Sequence, residues 1–213
     1  MPERFPGYDV LSKRTTPSWN EATRRVIDAR LAMVDEPHFF HADEWQTLKA
    51  ICQRIVPQPA NRPPVPIAAM VDHKMEVNHT DGYRRASMPT MREAWRRGLA
   101  ALDATATNRH GKRFHMIDVA DQNKLLKAMQ QGELDGPEWN DLPAHTFFSQ
   151  RLAKDILEAY YAHPTAWNEI GFGGPASPRG YVRMNFNMRD PWEAAEASPG
   201  HEDAARKANL HVG

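Results

Sequence analysis

Apolar residues recur along this chain three and four positions apart, and no run shows the alternation that marks a strand. The clearest stripe is Trp45, Leu48, Cys52 and Ile55. Asp43 and Glu44 occupy its first turn, where the helix dipole favours acid, and Pro57 ends it. Upstream, Ser18 and Glu21 form a capping-box pattern, and Val26, Ile27, Leu31 and Val34 predict a helix face. Phe39 and Phe40 follow Pro37 as an apolar pair suited to plug a neighbouring groove. Beyond the linker QPANRPPVP, Ile67, Met70, Val71 and Met75 share a face.

A longer helix is predicted from near Pro89 to about Asn108, with Met91, Trp95, Leu99, Leu102 and Ala106 inside. Gly98 in its middle implies close packing, since glycine there costs about 1 kcal/mol relative to alanine. Gly111 closes the segment, and Phe114 and Ile117 anchor the return. Asp118 caps a helix holding Leu125, Leu126 and Met129, which Gly132 ends. The last predicted helix carries Phe147, Phe148, Leu152 and Ile156. It continues through Leu157, Tyr160 and Tyr161 as one covered face and stops at Pro164. The expected architecture is all-α: an irregular bundle of about six helices with extended N- and C-terminal segments that wrap a partner. The chain divides into an irregular arm over 1–17, a helical domain over 18–162, and a strap and tail over 163–213.

The strap is the most unusual stretch. After Pro164, Trp167, Ile170, Phe172 and Tyr181 ride on a backbone of Gly171, Gly173, Gly174, Pro175, Pro178 and Gly180. Glycine permits close backbone approach and proline fixes φ, so such a segment lies against something, either the chain's own helices or another protein.

Composition narrows the chemistry. Net charge is zero, so no global field draws the chain to nucleic acid or an anionic membrane. Hydrophobic residues make up 41%, and no apolar run approaches a bilayer span, which predicts a soluble chain. The single cysteine, Cys52, excludes an internal disulfide, Cys₄ zinc, iron–sulfur ligation and a C-x-x-C-H haem attachment. The N-terminus shows neither a secretory apolar core nor a twin-arginine pair, so a cytoplasmic address is expected, with periplasmic co-export beside a partner as the alternative.

Catalytic fingerprints are missing. The chain has no G-x-G-x-x-G after a strand, no P-loop and no G-x-S-x-G elbow. Among ten histidines, His38 with His41, and His73 with His79 and Asp72, are the metal-ligand candidates, and none has H-E-x-x-H spacing. Asp72 and His73 are expected to face solvent. Arginines concentrate mid-chain, with Arg92 and Arg96 on one helix face. This is expected to be a solvated face or a docking surface for an acidic partner.

The motifs resemble those of one family. Phe39, Phe40, Glu44, Trp45, Leu48 and Ile51, then R-I-V-P from Arg54 to Pro57, are similar to the opening of the gluconate 2-dehydrogenase subunit 3 family. G-L-A-A-L-D from Gly98 to Asp103, then Gly111 and Phe114, then Asp121, Gln122, Leu125 and Leu126 continue the pattern. His163, Pro164, Trp167 and the run from Ile170 to Pro175 complete it. The Y-G-G-N element that many members carry after HP is replaced here by TAWNEIG.

The resemblance implies a small, helical, non-catalytic subunit of a flavin-dependent glucose–methanol–choline type oxidoreductase acting on a sugar, sugar acid or glycoside. FAD would reside in that large subunit, with no cofactor in this chain. A transient maturation chaperone and a stand-alone enzyme with a histidine-based metal site are the alternatives. The expected partner contacts are Trp167, Phe172, Arg179, Tyr181, Arg183 and Trp192, with Arg92 and Arg96 at the rim.

Overall fold

A computed structural model describes residues 3–83, 86–175, 180 and 193–210, and among them every regular element is helical. The expected long helices are α1 (Glu21–Leu31), α2 (Ala42–Ile55), α3 (Ile67–Glu76), α4 (Met91–His110), α5 (Val119–Gln131) and a final helix built in pieces. That helix comprises α6 (Ala144–Phe147), a π turn (Phe148–Leu152) and α7 (Ala153–Ala162). Two short helices, α8 (Pro164–Ile170) and α9 (Glu202–Asn209), and 3₁₀ turns complete the set. By contacts the chain forms two compact units: residues up to Met33 together with those from Tyr161 onward, and Val34–Tyr160.

The Val34–Tyr160 unit is organised around α4. Trp95, Leu99, Leu102 and Ala106 are buried on the face its periodicity predicts. The Trp95 ring meets Phe40 and Phe147 edge-on, with centroids 6.0 and 5.6 Å away, the arrangement aromatic quadrupoles favour. Helix ends follow local chemistry. His41 and Glu44 form the capping box of α2, Asp118 accepts from the Asp121 N–H at the start of α5, and Gly111 and Gly132 close their helices in the left-handed region. The π turn rephases the last helix so that Phe147, Phe148, Leu152 and Ile156 all reach the interior. Ile156 and Tyr160, four apart, are buried. Leu157 and Tyr161, one step around the helix, are exposed, so the expected four-residue face is in fact two residues wide.

In the unit formed by the two chain ends, Phe5, Tyr8, Val10, Trp19, Ile27 and Trp167 make the core. The expected irregular arm includes a 3₁₀ turn over Val10–Thr15 and supplies half of that core. The N-cap of α1 is Asn20, which accepts from the Thr23 N–H at 2.9 Å, and not Ser18. Of the predicted α1 face only Ile27 is buried; Val26, Leu31 and Val34 are exposed. The tail also folds back. Asn209 on α9 is buried and donates to the Pro6 carbonyl at 2.9 Å, while the Ala197 N–H donates to the Arg4 carbonyl at 2.8 Å. The sequence carried a signal for α9: Glu202 and Asp203 open it and Arg206 and Lys207 close it, matching the helix dipole.

Candidate partner-binding surface

The glycine-rich segment after α7 is held by its own chain. His163 is extended and accepts from the Thr165 N–H, so Pro164 both ends one helix and starts the next at a position where a missing N–H is harmless. Trp167 and Ile170 therefore stand on a helix, a correction to the extended strap expected there. Trp167 is only 3% exposed, and its indole Nε1 donates to the Tyr161 carbonyl at 2.6 Å. Buried within its own unit, it is a core residue in this chain and offers little surface for a direct partner contact.

The N-terminal arm grips the glycines. A Cβ on Gly171 would stand 2.6 Å from the Phe5 ring, and Gly174 sits between Trp167 and Trp19, each 3.1 Å from its Cβ position. Both glycines are at positive φ, a second reason no side chain is accommodated there. Lys13, almost fully buried, sends its ammonium to the Gly173 carbonyl at 2.5 Å. Phe5, Lys13 and Trp19 were missed by the sequence reading. The available signal was the aromatic content of an otherwise polar arm.

What this frame leaves at the surface is Phe172. Its ring packs edge-on against Trp167 at 5.6 Å yet remains 40% exposed, with Ile170 and Tyr161 also exposed. The remaining expected strap contacts, Arg179, Tyr181, Arg183 and Trp192, lie outside the described residues.

Arg92 and Arg96 are not a free docking patch. Arg92 donates to the Met75 and Glu76 carbonyls at 2.6 and 2.5 Å, capping the C-terminus of α3. Arg96 donates to the Phe39 carbonyl at 2.9 Å and to Glu44, and stacks over the Phe39 ring at 4.4 Å. Nearby, Arg97 pairs with Asp141 and Arg113 with Asp43. These arginines tie their own unit together, because helix C-termini and acidic first turns supply acceptors within reach.

The histidine–carboxylate candidates also resolve into structure. Asp72 is fully buried, contrary to the solvent-facing expectation. It accepts from the consecutive backbone N–H groups of His38, Phe39 and Phe40 at 2.8 to 3.1 Å. This carboxylate fixes the turn into α2. His73 is exposed and faces Glu76. Among the described residues, Asp81, Asp155 and Glu158 form the one carboxylate cluster tight enough for a cation. Lys74, Arg151 and Lys154 already balance it, Lys74 touching all three acids. Burial alone would raise the Asp81 pKa, but hydrogen bonds from Lys154, Arg151 and Lys74 outweigh it and hold the carboxyl well below the usual range. Burial alone would lower Lys74; its bonds to Asp155, Glu158 and Asp81 raise it above an ordinary lysine.

No helix among the described residues is long and apolar enough to cross a membrane. No curated protein and no solved structure matches the chain. Residues 42–174, from the first turn of α2 to the glycine between Trp19 and Trp167, match the model of gluconate 2-dehydrogenase subunit 3, and the chain belongs to that family.

Proposed function

We propose that this chain is a non-catalytic small subunit that binds and stabilises a flavin-dependent oxidoreductase acting on a sugar, sugar acid or glycoside, with FAD held by the large subunit. The family match carries the reading, since the family is named for a third subunit of gluconate 2-dehydrogenase. The surface agrees with it. Phe172, Ile170 and Tyr161 are large apolar groups left exposed near the buried Trp167, surface that a partner would cover favourably. The glycine-rich frame is already ordered by Trp167, Phe5 and Lys13, which lowers the entropy lost on binding.

Co-expression with the large subunit and size-exclusion chromatography test this. A stoichiometric complex whose flavin absorbance travels with the large subunit is the expected result. A partner that retains flavin, activity and stability without this chain, with no complex formed, overturns it. A complex that forms only during maturation and then dissociates identifies a chaperone instead.

A further inference from the structure

We infer that a cavity between the loop after α3, the start of α4 and the π turn binds an uncharged, hydroxyl-rich small molecule of the monosaccharide or polyol class. Thr80, Thr90 and Gln150 supply hydrogen bonds to it. This site belongs to the chain itself; it goes beyond the subunit reading and does not rest on it. The cavity measures about 360 Å³ and lies wholly within the Val34–Tyr160 unit, in the size range of small-molecule pockets.

Contacts outside the cavity hold each wall in place. Asn78 turns the chain out of α3 at positive φ, and the His79 N–H donates to the Lys74 carbonyl at 3.0 Å. Asp81 then ties this loop to the last helix through Arg151 at 2.6 Å and Lys154 at 2.8 Å. Arg92 fastens the start of α4 to the end of α3. Gln150 and Arg151 stand on the π turn, a distortion that recurs at functional sites.

The lining selects the ligand class. Its two ionic side chains, Asp81 and Arg151, bond each other, so the cavity presents no unmatched charge to an ion. The unmatched groups are the neutral ones. Asn78, Thr80, Tyr83 and Thr90 make no side-chain hydrogen bond among the described residues, and Thr90 leaves the start of α4 without a side-chain cap. Gln150 reaches only Ser149, at 3.5 Å, which leaves its carbonyl oxygen open. Hydroxyls and amides both donate and accept, as the hydroxyls of a sugar do. Met88, Pro89, Met91 and the Tyr83 ring add apolar surface for a carbon skeleton. An apolar ligand would strip water from the polar groups and replace none of their hydrogen bonds. A charged ligand would find no counter-charge.

The test titrates methyl glucoside and myo-inositol into this chain alone and follows its amide resonances by NMR. Saturable shifts at the Gly82 N–H and the Gln150 side-chain amide are expected, with midpoints on the order of 1–10 mM for a ligand this small. Gluconate and inorganic phosphate should bind more weakly than either neutral probe. Gln150→Leu and Thr80→Val should each weaken methyl glucoside by roughly 10-fold, the size of one or two lost hydrogen bonds. Thr80 is exposed, so Thr80→Val should keep the wild-type melting temperature and decides the matter if Gln150→Leu fails to fold. Shifts that stay linear with concentration for both neutral probes, saturation that the variants leave intact, or equal or tighter binding of either anion overturns the inference. The assay contains no partner, so its failure leaves the subunit reading untouched.

Discussion

The Phe147 ring occupies the place where a side chain on Gly98 would begin: its Cε1 and Cζ lie 2.3 Å from the Cβ position. This contact sets the closest approach between α4 and the last helix, and both residues lie in the buried core. Ring carbons cannot retreat from a methyl group without moving Trp95 and Trp139, which pack against Phe147.

Gly98→Ala is therefore expected to destabilise the protein by about 1–3 kcal/mol despite alanine's higher helix propensity, since overpacking a dense core outweighs propensity. Thermal or urea melts check this. Combining it with Phe147→Leu should recover part of the loss; strictly additive losses would contradict the contact as its cause.

Asp72 is expected to be a strong stability determinant with no role at a partner surface. Its three backbone donors come from one turn, and Asp72→Asn replaces an acceptor-only group with one that presents an amide to N–H groups. The expected loss is about 3 kcal/mol, in the range for buried charge-assisted hydrogen bonds. Affinity for the large subunit, measured at a temperature where the variant is folded, should be unchanged.

The Asp81–Lys74 lattice predicts the pH limits of stability. Asp81 has a folded pKa below its unfolded one, so its contribution is present above about pH 4 and is lost as pH falls through the folded value. Lys74 is shifted the other way, so its contribution is present below about pH 10.4 and is lost as pH rises through its folded value. Melting temperature against pH should show both limbs. Asp81→Asn should flatten the acid limb, and an unaltered acid limb would remove Asp81 from the explanation.

Trp167 and Phe172 should separate folding from binding. Trp167→Ala removes a buried ring and is expected to cost about 3–5 kcal/mol of stability. Phe172→Ala should leave melting nearly unchanged while weakening the large-subunit complex by about 1–2 kcal/mol, as for a partly exposed aromatic that becomes buried. Equal melting losses for the two would place Phe172 in the core as well.

The six longer helices and several of their ends were legible in the chain's own periodicity and punctuation, whereas α8 and α9 were not. Caps such as Asp118, stops such as Gly111 and Gly132, and the stripe from Met91 to Ala106 are short-range features, written within a few residues of where they act. Gly98 was legible for the same reason: a glycine where alanine is better signals a neighbour, although not which one. Which apolar and charged groups remain available depended on contacts between distant parts of the chain. Lys13 reaches Gly173 across 160 positions, and Asp72 reaches back 32 to 34 positions to the turn before α2. Arg92 and Arg96 found acceptors on α3, α2 and the turn before α2, and Trp167 found the N-terminal arm. Helical periodicity says which way a side chain points along its own element. It carries no information on what the rest of the chain brings to meet it, and burial and hydrogen-bond satisfaction depend on that meeting.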